Sequence, residues 1–453
     1  MPAEGPERLP PQNLDAERSV LGSMLRDNQV VSDVINVVRA EHFYTDAHQK
    51  IFQAILTLCV DRGQPADLVT LANYLQQEKQ IEDVGGYPYL AELWDAAPTA
   101  ANAEHYAKIV RDKGMVRALI HASNEILRDA YDQTQPAEEL LGTAEGKIFE
   151  IANRGVTAQT FSLHDVLKDA YDRIDTRVQK GHQTVSGLAT GYVDLDEKTA
   201  GLHNSELVIL AARPSVGKTG LALNIARHIV VEEAQPVFFV SLEMARVELA
   251  ERLLCCQAKV DSHRLRKGTL GSEDMDKLIA AGGVLRKAKL FIDDSPAQSM
   301  LRIHANARRL RMKEGLKEGI RLIIIDYLQL IEPENRRDPR QEQVAQISRR
   351  LKFMAKDLSI PVLALAQVNR ASEDRQDHRP RLADLRESGS IEQDADTVLM
   401  MHRPELYEPG QHEGTVELII AKQRNGPTGE ITLTFLKQFM RFENFAAGVP
   451  FED

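Results

Sequence analysis

The chain has 453 residues, of which 43% are hydrophobic and 27% charged, and a net charge of −11 at pH 7. That length exceeds one ordinary core and points to two or three domains of average globular composition. The acidic balance argues against a surface that binds nucleic acid all over, while leaving room for a local basic lining.

The start, "MPAEGPERLPPQN", is polar and proline-rich, without a signal-peptide core. No apolar run approaches a membrane span, so no membrane partner is expected. Residues 1–152 read as an all-α N-terminal domain. In "NLDAERSVLGSML", Ala16, Val20, Leu21, Met24 and Leu25 share one helical face. Ile109, Val116, Ile120 and Leu127 predict a second amphipathic helix, one arm of a helical hairpin. Nothing in this region carries a catalytic constellation, which suits a packing or docking role. Cys59, Cys255 and Cys256 make neither a disulfide framework nor a metal-ligand spacing and read as reduced cytoplasmic thiols.

Residues 153–182 read as a linker. "ANRGVTAQT" is nearly devoid of large apolar groups. The following stretch opens with Ser162 and Asp165, a capping-box pattern. It then carries a stripe of Leu163, Val166, Leu167, Ala170, Ile174 and Val178. An amphipathic helix between two domains must bury that stripe, either on its own domain or on a neighbouring subunit.

From residue 183 to 453 the pattern is α/β. The runs "ELVILAA", "PVFFVSL", "KLFIDD", "RLIIIDYL" and "PVLALAQ" are continuous and apolar, as strands covered on both faces are, and predict a mostly parallel sheet. "TVELIIAKQRNGPTGEITLTF" alternates around Asn425-Gly426 and predicts a C-terminal antiparallel hairpin.

The first of these runs enters "RPSVGKT" and then "GLALNIARHIV": strand, loop, helix. This matches the phosphate-cradling P-loop G-x-x-x-x-G-K-[ST] except that Ala212 stands where the first glycine is usual. Ala212, Arg213, Pro214, Ser215, Val216, Gly217, Lys218, Thr219 and Gly220 are the candidate nucleotide-binding set. Backbone N–H groups would face the phosphates, Lys218 would reach the β- and γ-phosphates, and the Thr219 hydroxyl would meet Mg²⁺. Asp326, closing the strand "LIIID", suits the Mg²⁺ shell. Glu243, just past the strand "VFFVS", is the candidate to orient or deprotonate the attacking water, because Tyr327 rather than an acid follows Asp326. Gln367, at a third strand end, could hydrogen-bond the γ-phosphate.

Together, "LPPQNLDAERSVLGSML", "AARPSVGKT", "SLEM", "LIIIDYLQL", "LRESGSIEQDAD" and "AKQRNGPTGE" resemble, in order, the motifs of the bacterial replicative DNA helicases of the DnaB type. The resemblance spans nearly the whole chain. It implies an all-α N-terminal collar, a linker helix that packs on the next subunit, and a RecA-like motor. Six copies would form a ring that translocates 5′ to 3′ on single-stranded DNA. In that family the P-loop also begins Ala-Arg-Pro-Ser, so the missing glycine marks a variant and not a defect. The resemblance further implies ATP as the nucleotide, Glu243 as catalytic base, Gln367 as γ-phosphate sensor, and partners that include a primase and a helicase loader.

Two further clusters take their roles from the resemblance. Arg386, Glu387, Ser388 and Gly389 read on their own as a solvated turn or as a backbone-phosphate contact. The family places this loop in the ring channel. Lys422 and Arg424, two apart on a strand, point the same way. The family sends them across the interface to a neighbour's nucleotide. The basic run "RIHANARRLRMK", residues 302–313, reads as a solvated helix face. Two alternatives share the motor: a RecA-like recombinase that does not unwind, and a scaffold whose ATPase has decayed. The large helical N-terminal domain argues against the first, and the complete set of Lys218, Thr219, Asp326 and Glu243 against the second.

Overall fold

The structure, a computed structural model, describes residues 9–445 apart from 98, 133–136, 155–162, 164–166, 168–170, 172–174, 176–184, 314–318, 370–372, 374, 408–409 and 411–412. The chain divides into two compact units, Met1–Tyr171 and Asp172–Asp453. The division falls inside the expected linker. Of that linker, Leu163, Leu167 and Tyr171 are helical and exposed. Val166, Ala170, Ile174, Val178 and the Ser162–Asp165 cap lie outside the described residues.

The first unit is helical. Its helices are α1 (Leu14–Arg26), α2 (Val31–Ile35), α3 (Asp46–Leu56), α4 (Leu68–Gln77), α5 (Gly86–Ala96), α6 (Ala103–Asp132) and α7 (Ala137–Arg154). The Asn13 side chain accepts the Ala16 N–H at 3.0 Å and so caps α1. The predicted face of α1 (Ala16, Val20, Leu21, Met24, Leu25) is buried in the core of this unit with Phe43, Ile51 and Phe52. α6 and α7 pair as a hairpin, pinned by Lys147, which lies 3.0 Å from Glu125 and 3.1 Å from Asp129. Only the start of the predicted α6 stripe meets the core, through Ile109. Val116, Ile120 and Leu127 stay exposed in the single chain.

The core of the first unit also holds a polar cluster. Glu17 and His48 are each 1% exposed. Glu17 accepts the Tyr44 N–H at 2.8 Å and meets His48 Nδ1 at 2.5 Å, and His48 Nε2 meets the Tyr89 hydroxyl at 2.6 Å.

The second unit is built on one nine-stranded sheet in the order β3-β2-β4-β5-β1-β6-β7-β8-β9. β1 is Leu207–Ala212, β2 Val237–Ser241, β3 Leu290–Asp293, β4 Leu322–Asp326, β5 Val362–Gln367 and β6 Thr397–His402. These six run parallel. β7 (Thr415–Gln423), β8 (Gly429–Leu436) and β9 (Arg441–Asn444) continue the sheet antiparallel. The five predicted runs are all strands; β1, β2, β4 and β5 are buried on two faces as expected, whereas β3, at the sheet edge, is only half-buried. In β1, Val208, Leu210 and Ala212 join the core beneath the helix Lys218–Val231. Leu207, Ile209 and Ala211 join the opposite core, under the helices Met300–Arg311 and Arg340–Leu358.

Parallel order aligns the carboxyl ends of β2, β4, β5 and β1 along one edge, where ligands gather in such sheets. β9, too short and mixed to signal itself in the sequence, closes the far side. The ring of Phe442 lies beneath the loop after β1, where a Cβ on Gly217 would come within 3.1 Å of it.

Candidate active site

Ala212 is the last residue of β1, 1% exposed, and pairs with Gln367. Its methyl belongs to the core, which explains why alanine serves at this position. Val216, 2% exposed, pins the loop from below. Gly217 (φ 116°) makes the left-handed turn that starts the helix Lys218–Val231. Arg213 ties the loop to the chain beyond β5. Its Nη1 donates to the Val368 carbonyl at 2.9 Å and its Nη2 to Glu373 at 2.7 Å. Asn224 on the same helix donates to the Met440 carbonyl at 3.0 Å and accepts the Phe442 N–H at 3.2 Å, which joins it to β9.

Thr219 and Asp326 lie in direct contact. The Thr219 hydroxyl donates to Asp326 Oδ2 at 2.6 Å, and Lys218 Nζ lies 3.7 Å from Asp326 Oδ1. Asp326 is fully buried, and its Oδ1 accepts no hydrogen bond among the described residues. A buried carboxylate oxygen left open beside a hydroxyl is a pair of hard oxygen donors, the type Mg²⁺ selects. The fold implies this metal, and the residues fit it. Burial lowers the pKa of Lys218, against the opposing pull of Asp326 and Glu243. The Lys218 ammonium also sits 4.3 Å from the centre of the Tyr327 ring.

In register, Ser241 of β2 pairs with Asp326 of β4, and the Leu242 N–H donates to the Asp326 carbonyl at 2.7 Å. Glu243 therefore emerges exposed, one strand away from Asp326 and two residues past the end of β2. Gln367 ends β5 and is also exposed. The edge thus presents Glu243, Asp326, Gln367 and the P-loop in order.

One residue of this region carried no signal in the sequence. Arg252 is half-buried on the helix Arg246–Ala258 and lines a small crevice with Gly220, Leu223, Asn224 and Met440. Burial lowers its pKa, Glu248 opposes that shift, and Asp326 and Glu243 act on it as well. It stands in a helix whose other charges are solvated, so only the fold reveals it.

Lys422 and Arg424 do project together, and toward a definite target. Lys422 Nζ donates to the Ala395 carbonyl at 2.8 Å and to the carbonyl of Glu392. Arg424 Nη2 donates to the Gln393 carbonyl at 2.7 Å, with Nη1 3.4 Å from Asp396 Oδ1. The two cations cap the carboxyl end of the short helix Gly389–Asp394. Burial and the neighbouring Arg424 lower the pKa of Lys422.

The segment before that helix, Leu382–Ser388, is a 3₁₀ turn. Its backbone carries Arg386, Glu387 and Ser388, whose side chains lie outside the described residues, and Gly389 follows, exposed. In the run 302–313, His304 and Arg308 both bind Asp357, at 2.9 and 2.8 Å, and Arg302, Arg309 and Arg311 are exposed.

Known proteins resemble this chain over nearly its whole length. The family described as DnaB-like helicase C terminal domain matches residues 187–444, and DnaB-like helicase N terminal domain matches residues 9–112. The chain is 43% identical over 440 residues to the replicative DNA helicase DnaB of Geobacillus stearothermophilus, covering 97% of this chain and 96% of that protein. It is also 43% identical over 451 residues to the replicative DNA helicase DnaC of Bacillus subtilis (strain 168), covering 98% of each. Among solved structures, a DnaB-like replicative helicase described with its interactions with primase aligns with a TM-score of 0.73 and 30% identity, over 96% of this chain and 100% of that one. A second solved structure, an isolated ATPase domain, aligns with a TM-score of 0.59 and 36% identity, over 64% of this chain and 100% of that one. The chain belongs to the DnaB family of replicative DNA helicases, enzymes whose activity depends on nucleotide.

Proposed function

We propose that this helicase hydrolyses ATP with Mg²⁺ at the edge just described, and that it works as a homohexameric ring moving 5′ to 3′ on one DNA strand. The observation that carries the chemistry is the buried Thr219–Asp326 pair with an open carboxylate oxygen, set beside Lys218. When bound, Mg²⁺ would neutralise charge on the β- and γ-phosphate oxygens. The P-loop amides and Lys218 hold the phosphates, and Arg252 adds positive charge at the rim. Glu243, exposed and free to turn, takes the proton of the attacking water. Gln367 meets the γ-phosphate.

The outer side of that phosphate, opposite Lys218, calls for a further cation. Lys422 and Arg424 of the next subunit fill the role, leaving the helix end they cap in the lone chain. An apolar groove of about 260 Å³, lined by Val230, Leu253, Leu254, Leu285 and Leu290, offers a seat for a neighbour's linker helix. Arg386 to Gly389 face the DNA in the ring channel, where backbone contacts without base readout suit a translocating motor. A primase and a loader dock on the helical collar, and the ring acts at replication forks in the cytoplasm. No helix among the described residues is long and apolar enough to cross a membrane.

The test mixes two inactive subunits, Lys218→Ala and Arg424→Ala, in one ring. If Arg424 acts across the interface, some sites combine an intact P-loop with an intact arginine, and part of the ATPase activity returns. Mixed rings that remain inactive refute the trans assignment. Forked substrates with a single 5′ or 3′ tail report the direction, and unwinding that starts from a 3′ tail overturns the polarity.

A further inference from the structure

The motif "DYLQL" after β4 contains a glutamine, Gln329, to which the reading above gives no task. Its side chain fills a gap in the sheet. β4 and β5 pair from Ile323↔Val362 to Ile325↔Ala364, and there the β4 side stops, because the chain turns away after Asp326. β5 runs on to Gln367 beside β1, where Ala212↔Gln367 is the last pair and the Val368 N–H donates to the Ala212 carbonyl at 3.1 Å. In a parallel ladder successive residues turn their N–H and C=O alternately toward the two neighbours. Val368 faces β1, so Gln367 turns both of its backbone groups toward the empty β4 side. The Gln329 carboxamide occupies that place. Its Nε2 donates to the Gln367 carbonyl at 3.2 Å, and its Oε1 accepts the Gln367 N–H at 3.3 Å.

Gln329 is itself braced. Arg340 donates to its backbone carbonyl and, through Nη1, to Gln343 Oε1 at 3.0 Å. Gln343 is 8% exposed and donates on to the Asp338 carbonyl at 2.9 Å. A fixed amide thus holds the backbone of an otherwise exposed strand end.

We propose that Gln329 is a positioning residue for Gln367: its carboxamide supplies the missing rung between β4 and β5, and so fixes the direction in which the Gln367 side chain reaches the γ-phosphate. This rests on the reading of Gln367 as the group that meets that phosphate. Gln329 itself touches no substrate. Its loss misdirects Gln367 and leaves the P-loop and Lys218 contacts to phosphate in place, so turnover suffers more than nucleotide affinity.

The experiment uses the full chain with ATP and single-stranded DNA. Gln329→Ala lowers kcat by about 10–100-fold, as small misplacements do, with KM and ADP affinity within about twofold of wild type. The double variant Gln329→Ala with Gln367→Ala is no slower than Gln367→Ala alone, since both remove one function. Gln329→Glu gives a pH signature. Its carboxylate repels the Gln367 carbonyl, whereas the protonated acid donates to it, so kcat relative to wild type rises as pH falls into the carboxylic-acid range. Hydrogen exchange at the Gln367 amide quickens in Gln329→Ala.

Unchanged exchange at Gln367, or a double variant that multiplies the two losses, overturns the proposal. Wild-type turnover in Gln367→Ala instead overturns the sensor reading, and exchange at Gln367 in Gln329→Ala then still decides whether Gln329 holds that backbone.

Discussion

Among the described residues Glu17 and Asp326 are the most deeply buried acids of their units, and the two are treated in opposite ways. Glu17 in the helical unit has both oxygens engaged, by the Tyr44 N–H and by His48, and His48 in turn is closed off by Tyr89. Asp326 in the sheet unit is buried as deeply, yet its Oδ1 accepts no hydrogen bond among the described residues and has only the Lys218 ammonium, 3.7 Å away, beside it. Burial of a polar group is tolerable when its partners come from the protein. The closed cluster therefore serves stability. The open oxygen is met only by a cation 3.7 Å away, and so stays available to a ligand.

That contrast can be broken or sharpened by substitution. The largest expected effect lies on the open side. Glu243→Gln slows ATP turnover by about 10²–10⁴-fold, the usual cost of a lost general base, while ADP binding stays within a few-fold. Turnover near wild type would move the role elsewhere.

Next comes the closed side. Glu17→Ala strands the Tyr44 N–H and His48, at roughly 1–3 kcal/mol for each unmet group, so the denaturant midpoint of the helical unit falls. Hydrolysis by the sheet unit survives under folding conditions. A midpoint equal to wild type would show the cluster to be dispensable.

The smallest expected change in stability sharpens the comparison most. Asp326→Asn abolishes most turnover but leaves stability within about 1 kcal/mol of wild type or above it, because strained active-site groups trade stability for function. A destabilisation as large as that of Glu17→Ala would erase the distinction between the two acids.

Much of this was legible in the sequence because it rests on contiguous patterns. The five apolar runs marked out the sheet, and "RPSVGKT" between a strand and a helix marked the candidate phosphate loop. Asp326, Glu243 and Gln367 could be singled out because each follows a recognisable strand, and parallel order brings strand ends together. What stayed hidden depends on long-range placement. Arg252 looks like any charge on an amphipathic helix until the fold sets it near Asp326. Gln329 acts as a strand substitute, a role that no periodicity encodes. The seat of Lys422 and Arg424 on the helix Gly389–Asp394 joins two segments about thirty residues apart, separated by β6 and a loop. The Glu17 cluster draws on three helices and their connections, and its members read individually as surface residues.

The position of Phe442 and Asn224 has a consequence in time. The P-loop is made early in the motor, but its floor is β9, and the bond from the Phe442 N–H to Asn224 spans 218 residues. During synthesis, domains form in order from the N-terminal side. The helical unit can close its core while the motor is still emerging from the ribosome. The P-loop stands without its floor until β9 arrives. The P-loop therefore gains its support only in the last stage of the sheet unit's synthesis, well after the strand that carries it.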